Sequence, residues 1–149
     1  MFCKFESRTC GTQSIPMLKV EHIGIAVKNM QDANLLFEKL FGKAAYKKEN
    51  VDTEKVTTSF FQIGETKIEL LEATDPNSAI SKFIEKRGEG IHHIALEVQD
   101  IYAEMKRLKE EGFTLLSDLP HKGADNKLIC FVHPKTANGV LVELCQEIR

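Results

Sequence analysis

Two histidines and two glutamates recur at matching places in the two halves of the chain. His22 stands in the segment EHIGIAV and His93 in HHIALEV, and from each histidine both read apolar, small, apolar, any residue, valine. Further along, Glu69 lies in KIELL and Glu143 in LVELC, at nearly equal distances from their histidines. A carboxylate in an aliphatic strand is costly to bury without a partner. The repetition therefore predicts one shared partner, a divalent metal ion bound by all four residues.

The alternation of side chains along a strand supports this assignment. Successive side chains point to opposite faces, so His22 is expected to share its face with Gly24. His93 is expected to share its face with Ala95 in the same way. These small neighbours are expected to leave room for something other than protein. His92 competes with His93 as a ligand, but the repeat aligns His93 with His22 and is expected to turn His92 to the opposite face.

The chemistry of such a ligand set is Lewis-acid chemistry. Imidazole nitrogens with carboxylate oxygens suit borderline ions such as Mn, Fe, Co, Ni or Zn, and they exclude an all-oxygen calcium site. Four protein ligands on an octahedral ion leave two positions open, which two neighbouring oxygens of a substrate can occupy. The ion then polarises a carbonyl. We expect loss of the proton next to that carbonyl, with stabilisation of the resulting enolate.

The elements that must position these residues repeat as well. Each histidine segment is followed by an amphipathic helical pattern that a glycine closes, Gly42 in the first half and Gly112 in the second. Strands are predicted at 45–49, 56–63 and 66–72, and again at 114–117, 127–133 and 140–146. Residues 78–86 are predicted to form a linking helix, capped by Asn77 or Ser78. The predicted fold class is α+β, with two repeated βαβββ modules forming one cup-shaped mixed sheet.

Length and composition are those of one globular domain. The chain has 149 residues, of which 42% are hydrophobic and 28% charged, with a formal net charge of -2. One domain is expected over residues 18–149, with modules at about 18–75 and 90–149, after a flexible N-terminal extension over 1–17. The balanced charge argues against a nucleic-acid partner. No apolar run approaches the roughly 20 residues that span a membrane.

Cysteine usage and the N-terminal segment bear on the compartment. The four cysteines, at positions 3, 10, 130 and 145, form no Cys-x-x-Cys pair, which predicts reduced thiols and no disulfide framework. The first 16 residues are polar and lack the apolar core of a secretory signal. A cytoplasmic location is predicted, with an organellar matrix as the alternative because Lys4 and Arg8 lie in this segment.

These segments resemble a known family. HIGIAV, HHIALEV and the closing VLVELCQE look like the vicinal oxygen chelate (glyoxalase/bleomycin-resistance) superfamily. The longer stretches GETKIELLEATDPNSAISKFIEKRGEGIHHIALEV and FVHPKTANGVLVEL resemble its methylmalonyl-CoA epimerase branch. The resemblance covers residues 18 to about 147. It implies a glyoxalase-like fold and an isomerase that interconverts (2R)- and (2S)-methylmalonyl-CoA through a metal-stabilised enolate.

The resemblance also implies particular ligands and bases. It implies one divalent ion per chain, cobalt first, an acyl-CoA substrate and a homodimer, with His22, Glu69, His93 and Glu143 as the metal residues. Epimerisation needs a proton acceptor on one face of the enolate and a donor on the other. Glu143 is the expected first base. Some epimerases carry a glutamate where this chain has Thr58, which leaves Glu69, a water held by Thr58, or another residue for the second role.

Other classes share parts of the pattern. Lactoylglutathione lyase shares the fold, the metal and enediolate chemistry, but it needs a pocket for glutathione. A non-catalytic small-molecule binder needs no metal set. An iron dioxygenase needs only two histidines and one carboxylate, whereas Glu69 offers a fourth ligand here. For the phosphates of coenzyme A, the candidate contacts are Lys135 and the stretch Lys86-Arg87-Gly88.

Overall fold

The computed structural model describes residues 17–149, which form one eight-stranded sheet with three α-helices. The extension expected over residues 1–17 therefore lies, apart from Met17, outside the described residues. None of the helices within 17–149 has both the length and the apolar character needed to cross a membrane.

The elements follow one another in two similar series joined by a helix. The first series is β1 (Lys19–Ala26), α1 (Met30–Phe41), β2 (Lys47–Val51), β3 (Val56–Ile63) and β4 (Thr66–Ala73). Helix α2 (Ala79–Arg87) connects it to the second. The second series is β5 (Gly90–Glu97), α3 (Ile101–Glu110), β6 (His121–Lys122), β7 (Lys127–Val132), a 3₁₀ turn (Pro134–Thr136) and β8 (Val142–Glu147).

A side-chain cap marks the start of each of the three helices. Asn29, Ser78 and Asp100 each accept a backbone N–H from the first turn of the helix that follows. Ser78 is thus the cap of the linking helix, one of the two residues predicted for that role. At the other end of α1, Gly42 has a φ of 72° and donates its N–H to the carbonyl of Glu38. A glycine suits this left-handed conformation, so the predicted stop of α1 is confirmed.

The sheet is arranged symmetrically about its centre. Its order is β2-β3-β4-β1-β5-β8-β7-β6. β1 and β5 pair antiparallel in the middle, and each pairs in parallel with the last strand of its own series, β4 or β8. The predicted α+β class and mixed sheet are therefore confirmed. The two strands that carry the histidines are direct neighbours, and the two that carry the glutamates flank them.

One predicted strand is wrong. Residues 114–117 make only an isolated bridge, between Leu115 and Val132, and the edge strand is β6 instead. The hydroxyl of Ser117 donates to the carbonyl of Leu119, 2.9 Å away, and Pro120 has no N–H to offer to a ladder. The segment therefore bends away from β7 before it returns to pair as β6.

Each half fills one face of the sheet with its own helix. Helix α1 packs on a cluster that includes Phe61 and Leu70, and α3 packs on a cluster that includes Cys130 and Leu144. Phe60, the neighbour of Phe61, instead lines a cavity on the opposite face. The face away from α1 and α3 is thus left for the functional site.

Candidate metal centre

The register of the sheet brings both glutamates level with both histidines. Glu69 in β4 lies opposite Gly24, two residues after His22. Glu143 in β8 lies opposite Ala95, two residues after His93. Because the same offset recurs on either side of the central pair β1–β5, the four side chains converge on one point.

The distances at this point are short, and all four residues are buried. Nε2 of His22 lies 3.0 Å from Nε2 of His93 and 3.1 Å from Oε2 of Glu69. Glu143 faces both rings with different oxygens, Oε1 at 3.8 Å from His22 Nε2 and Oε2 at 3.4 Å from His93 Nε2. One ligand atom each from His22, Glu69 and His93 lies within 4.8 Å of the other two.

This donor set fits one divalent ion. Ligand atoms about 2.1 Å from an ion lie about 3 Å apart when they meet it at right angles. The separations of 3.0 Å between the ring nitrogens and 3.1 Å between His22 and Glu69 match that spacing. Two imidazoles with carboxylate oxygens are the ligands of borderline transition metals. His22, Glu69 and His93 thus form a candidate metal site, and Glu143 lies beside it.

Two β-bulges between β1 and β5 decide which side chains reach the site. Glu21 has no partner on β5 and His92 has none on β1, so each is the extra residue of a bulge. A bulge lets two successive side chains face the same side. Glu21, His22, His92 and His93 all line one cavity. The expectation that His92 faces away from His93 is therefore wrong, since the alternation it assumed stops at the bulge.

The extra residue of each bulge contacts the outer nitrogen of the histidine that follows it. Glu21 accepts a hydrogen bond from Nδ1 of His22. Nδ1 of His92 lies 3.0 Å from Nδ1 of His93. Sequence reasoning missed the contact made by Glu21, although the same alignment that paired the histidines also pairs the residues before them. The two histidines thus have a carboxylate partner on one side and an imidazole partner on the other.

The pKa values of the two histidines shift in opposite directions. Burial lowers the pKa of His22, but the surrounding carboxylates, first that of Glu69, outweigh it and raise that pKa well above its usual value. Burial lowers the pKa of His93 well below its usual range, and the nearby His22 lowers it further. The ring with the raised pKa and the ring with the lowered pKa thus face each other directly, with their Nε2 atoms 3.0 Å apart.

The pKa values of two buried carboxyl groups, those of Glu143 and Glu21, also shift in opposite directions. Burial raises the pKa of Glu143 to about 8; the charge of His22 opposes this rise and that of Glu69 adds to it. Burial alone would raise the pKa of Glu21, but hydrogen bonds from His22 and Lys67 lower it to about 2. Glu21 is therefore a permanent anion at neutral pH, while Glu143 is a group that exchanges a proton close to neutrality.

Gly24 is required by the close approach of His93. A Cβ at position 24 would lie 2.2 Å from Cε1 of the His93 ring. The space beside this glycine therefore holds His93 itself, and the expectation that it holds something other than protein is wrong here. At the matching position of the second half, Ala95 is fully buried and carries a Cβ.

A cavity of about 250 Å³ encloses the cluster, with walls from both halves. Its apolar lining includes Val51, Val56, Phe60, Leu71, Ile80, Leu116, Ile129, Phe131 and Leu141. A neighbouring groove, lined by Phe83, Arg87 and Pro134, shares His92 and His93 with it. The cluster therefore lines a cavity that adjoins a second groove.

The remaining residues singled out from the sequence lie in different places around the metal site. Thr58 lines the cavity, and its hydroxyl lies 3.4 Å from the carbonyl of Glu49. Arg87 lines the neighbouring groove, with its guanidinium 6.0 Å from the centre of the Phe83 ring. Lys135 lies in the 3₁₀ turn that follows β7.

Comparison with known families gives a match over most of the sheet. Residues 21–131 match the family model of the Glyoxalase/Bleomycin resistance protein/Dioxygenase superfamily. That range contains three of the four clustered side chains, His22, Glu69 and His93.

Several relatives are similar over nearly the whole described chain. The mitochondrial methylmalonyl-CoA epimerase of Dictyostelium discoideum is 41% identical over 127 residues, which cover 85% of this chain and 76% of that protein. The ethylmalonyl-CoA/methylmalonyl-CoA epimerase of Cereibacter sphaeroides is 40% identical over 130 residues, 86% of this chain and 97% of that protein. A solved structure of a Streptomyces coelicolor methylmalonyl-CoA epimerase variant, in complex with 2-nitronate-propionyl-CoA, has a TM-score of 0.85 at 30% identity, covering 89% of this chain and 99% of that one.

Proposed function

The chain belongs to the glyoxalase/bleomycin resistance protein/dioxygenase superfamily, and from this membership we propose that it is a methylmalonyl-CoA epimerase. It interconverts (2R)- and (2S)-methylmalonyl-CoA by removing the proton at C2 of the acyl group and returning one to the other face. The observation that carries the proposal is the convergence of His22, Glu69, His93 and Glu143 in one buried cavity. The named relatives favour this activity over lactoylglutathione lyase and over a non-catalytic binder.

The proposal includes one divalent ion per chain, with cobalt as the first choice and Mn, Ni, Zn or Fe as alternatives. When bound, such an ion polarises the thioester carbonyl and stabilises the negative charge that remains after the C2 proton leaves. Nε2 of His93 faces this point, 3.4 Å from Oε2 of Glu143. Because the pKa of His22 is raised, His22 has to release a proton before its Nε2 can bind the ion.

The two glutamates supply the proton transfers in this proposal. Glu143 takes the proton from one face of C2, and Glu69 serves the opposite face. The sheet order supports this division, because β4 and β8 flank the central pair β1–β5 from opposite sides. Thr58 is an alcohol whose hydroxyl lies near the Glu49 carbonyl, so it offers no base at neutral pH.

The shape of the site supports an acyl-CoA substrate. The cavity of about 250 Å³ is smaller than the roughly 300–1,000 Å³ of sites that enclose a drug-sized ligand. It suits the methylmalonyl group, and the coenzyme A portion extends along the neighbouring groove. Arg87 is the cation that lines this groove, and it is the better placed of the candidate phosphate contacts.

The experiment that tests the function follows the C2 proton. The purified chain, loaded with cobalt, is incubated with methylmalonyl-CoA in deuterated water, and the C2–H signal is followed by NMR. We expect loss of that signal and formation of both epimers. A parallel reaction contains methylglyoxal and glutathione. Turnover of that mixture, with no exchange at C2, would replace the epimerase with the lyase.

We also propose that the protein is a homodimer. Helix α1 exposes Leu36 and Leu40, one turn apart, with 59% and 67% of their surfaces accessible. Such apolar side chains on one helix face are suited to a partner surface. Sedimentation velocity should give twice the chain mass of 16.8 kDa, and the L36K/L40K variant should give a monomer. A wild-type chain that sediments as a monomer would contradict the dimer.

A cytoplasmic location is the last part of the proposal. Among residues 17–149, Cys130 and Cys145 are buried free thiols, as suits a reducing compartment. Fractionation of cells that produce the full chain tests this location against the organellar alternative.

A further inference from the structure

We propose that Glu21 is a positioning residue, which orients His22 through Nδ1 so that Nε2 faces the ion. This inference rests on the proposed metal centre. Glu21 does not bind the ion itself; it acts on His22, which does. Metal-binding histidines commonly donate their second nitrogen to a carboxylate, which fixes the ring and strengthens it as a ligand.

The backbone is shaped for this contact. A residue adjacent to His22 in a regular strand would point to the other face. The bulge at Glu21 removes that restriction, and both side chains are buried on the same side, with 3% and 6% of their surfaces accessible. Bulges are enriched beside active sites, where they re-aim a side chain. Here the bulge places the carboxylate directly against His22 Nδ1.

A network of ion pairs holds the Glu21 carboxylate in place. Lys67 Nζ lies 2.6 Å from Oε1 of Glu21 and 2.7 Å from Asp125. Lys127 Nζ is 3.8 Å from the same Glu21 oxygen. Asp125 in turn accepts from Lys47 at 2.9 Å. A buried carboxylate held by cations on one oxygen keeps the other oxygen available to one partner.

These ion pairs also connect the two halves of the sheet. Glu21 and Lys67 belong to β1 and β4, whereas Asp125 lies in the turn between β6 and β7, and Lys127 begins β7. The orientation of His22 is therefore fixed by residues from both halves. His93, whose outer nitrogen meets His92, has no carboxylate in the corresponding position.

The test measures metal binding itself, so it does not depend on turnover. The metal-free full chain is titrated with Co²⁺, and its affinity and visible absorption are recorded in competition with a chelating dye. Glu21→Gln keeps the size of the side chain and removes its charge. We expect its Co²⁺ affinity to fall by about 10–100-fold, as for other outer-shell partners of a metal ligand.

A matched control separates positioning from structural support. Glu104 on α3 is also a buried carboxylate held by a cation, Arg107, and within residues 17–149 its side chain forms no hydrogen bond or ion pair with a histidine. Glu104→Gln should lower stability without changing Co²⁺ affinity. Glu21→Asp keeps the charge but withdraws the carboxylate from His22, and its affinity should fall between those of wild type and Glu21→Gln.

The outcomes distinguish this inference from the function on which it rests. A wild-type chain that binds no Co²⁺ would overturn the metal centre and the role of Glu21 together. Wild-type affinity in folded Glu21→Gln, or in Glu21→Asp if the first variant does not fold, would overturn the role of Glu21 alone. An equal loss in Glu21→Gln and Glu104→Gln would show that Glu21 only supports the fold.

Discussion

The two halves of the sheet place the same side chains by the same register. In each half the glutamate lies opposite the residue two positions after the histidine. On its other side, Glu69 pairs with Phe60 in β3, and Glu143 pairs with Phe131 in β7. Both phenylalanines line the cavity. The backbone geometry of the site is therefore nearly two-fold symmetric.

The surroundings of the histidines break this symmetry. The first half places Glu21 against His22 and the second places His92 against His93. Burial lowers the pKa of His93, and His22 and His92 lower it further, whereas the carboxylates around His22, first Glu69 and then Glu21, outweigh its burial and raise its pKa. The comparison shows that repetition of the fold sets where the ligands lie, whereas burial and the charges beside each ligand set its pKa. A symmetric pair of ligands can thus include one that binds a proton and one that does not.

Removal of a ligand from the second half should have the largest effect. His93→Ala deletes a nitrogen at the convergence point, and we expect it to abolish tight metal binding. His92→Ala removes only the group at Nδ1 of His93, so its loss of affinity should stay within about 10–100-fold. Metal analysis of the purified variants measures both. If His92→Ala lost more metal than His93→Ala, the alignment of the two halves would be wrong by one residue.

The two glutamates test whether the halves share the chemistry equally. Glu143→Gln keeps an oxygen ligand but cannot accept a proton, so turnover should fall by about 10²–10⁴ while metal stays bound. Glu69→Gln is the matched change in the first half, and turnover should fall by a similar factor because Glu69 serves the opposite face of C2 in the proposed mechanism. Steady-state kinetics with metal content measured on each sample decides the matter. A Glu69→Gln variant that keeps much more activity than Glu143→Gln would make Glu69 a metal ligand only.

Gly24 and Ala95 occupy matching positions and should respond differently to substitution. Gly24→Ala places a methyl group against the His93 ring and should lower the free energy of unfolding by about 1–3 kcal/mol. Ala95→Gly removes a buried methyl group and adds the backbone freedom of glycine, which together cost about 1–2 kcal/mol. Urea denaturation of the metal-free proteins measures both values. A Gly24→Ala variant as stable as the unchanged chain would mean that His93 moves aside without strain.

The sequence predicted well whatever depends on local patterns. The range predicted for β3 agrees with the structure, the stop at Gly42 is confirmed, and Ser78 caps the linking helix. The structure also brings together the four side chains named from the repeat. Alternation and capping are readable within a short window of the chain, and the repeat is readable by comparing its two halves.

What the sequence could not predict depends on pairing between distant segments. The bulges at Glu21 and His92 exist only because β1 and β5 pair with shifted register, and no local pattern marks that shift. The edge strand was misplaced for a similar reason, since β6 is defined by its two pairs with β7. The partners of the histidines, and hence their charges, therefore appear only in the folded structure.

Metal affinity should also depend on pH, because the two halves of the site carry unequal charges. In the metal-free protein the pKa of His22 is raised well above its usual value and that of Glu143 is raised to about 8. Both groups therefore hold protons at pH 6, and both must release them to bind an ion. Affinity should rise with pH between 6 and 8, by about tenfold per unit for each proton released. Calorimetry in buffers of different ionisation enthalpy counts these protons, and Glu143→Gln, whose amide does not titrate, should release one fewer. Because His93 is already neutral, it adds no proton to that count, and an affinity that stays constant across this range would contradict the charge difference between the two halves.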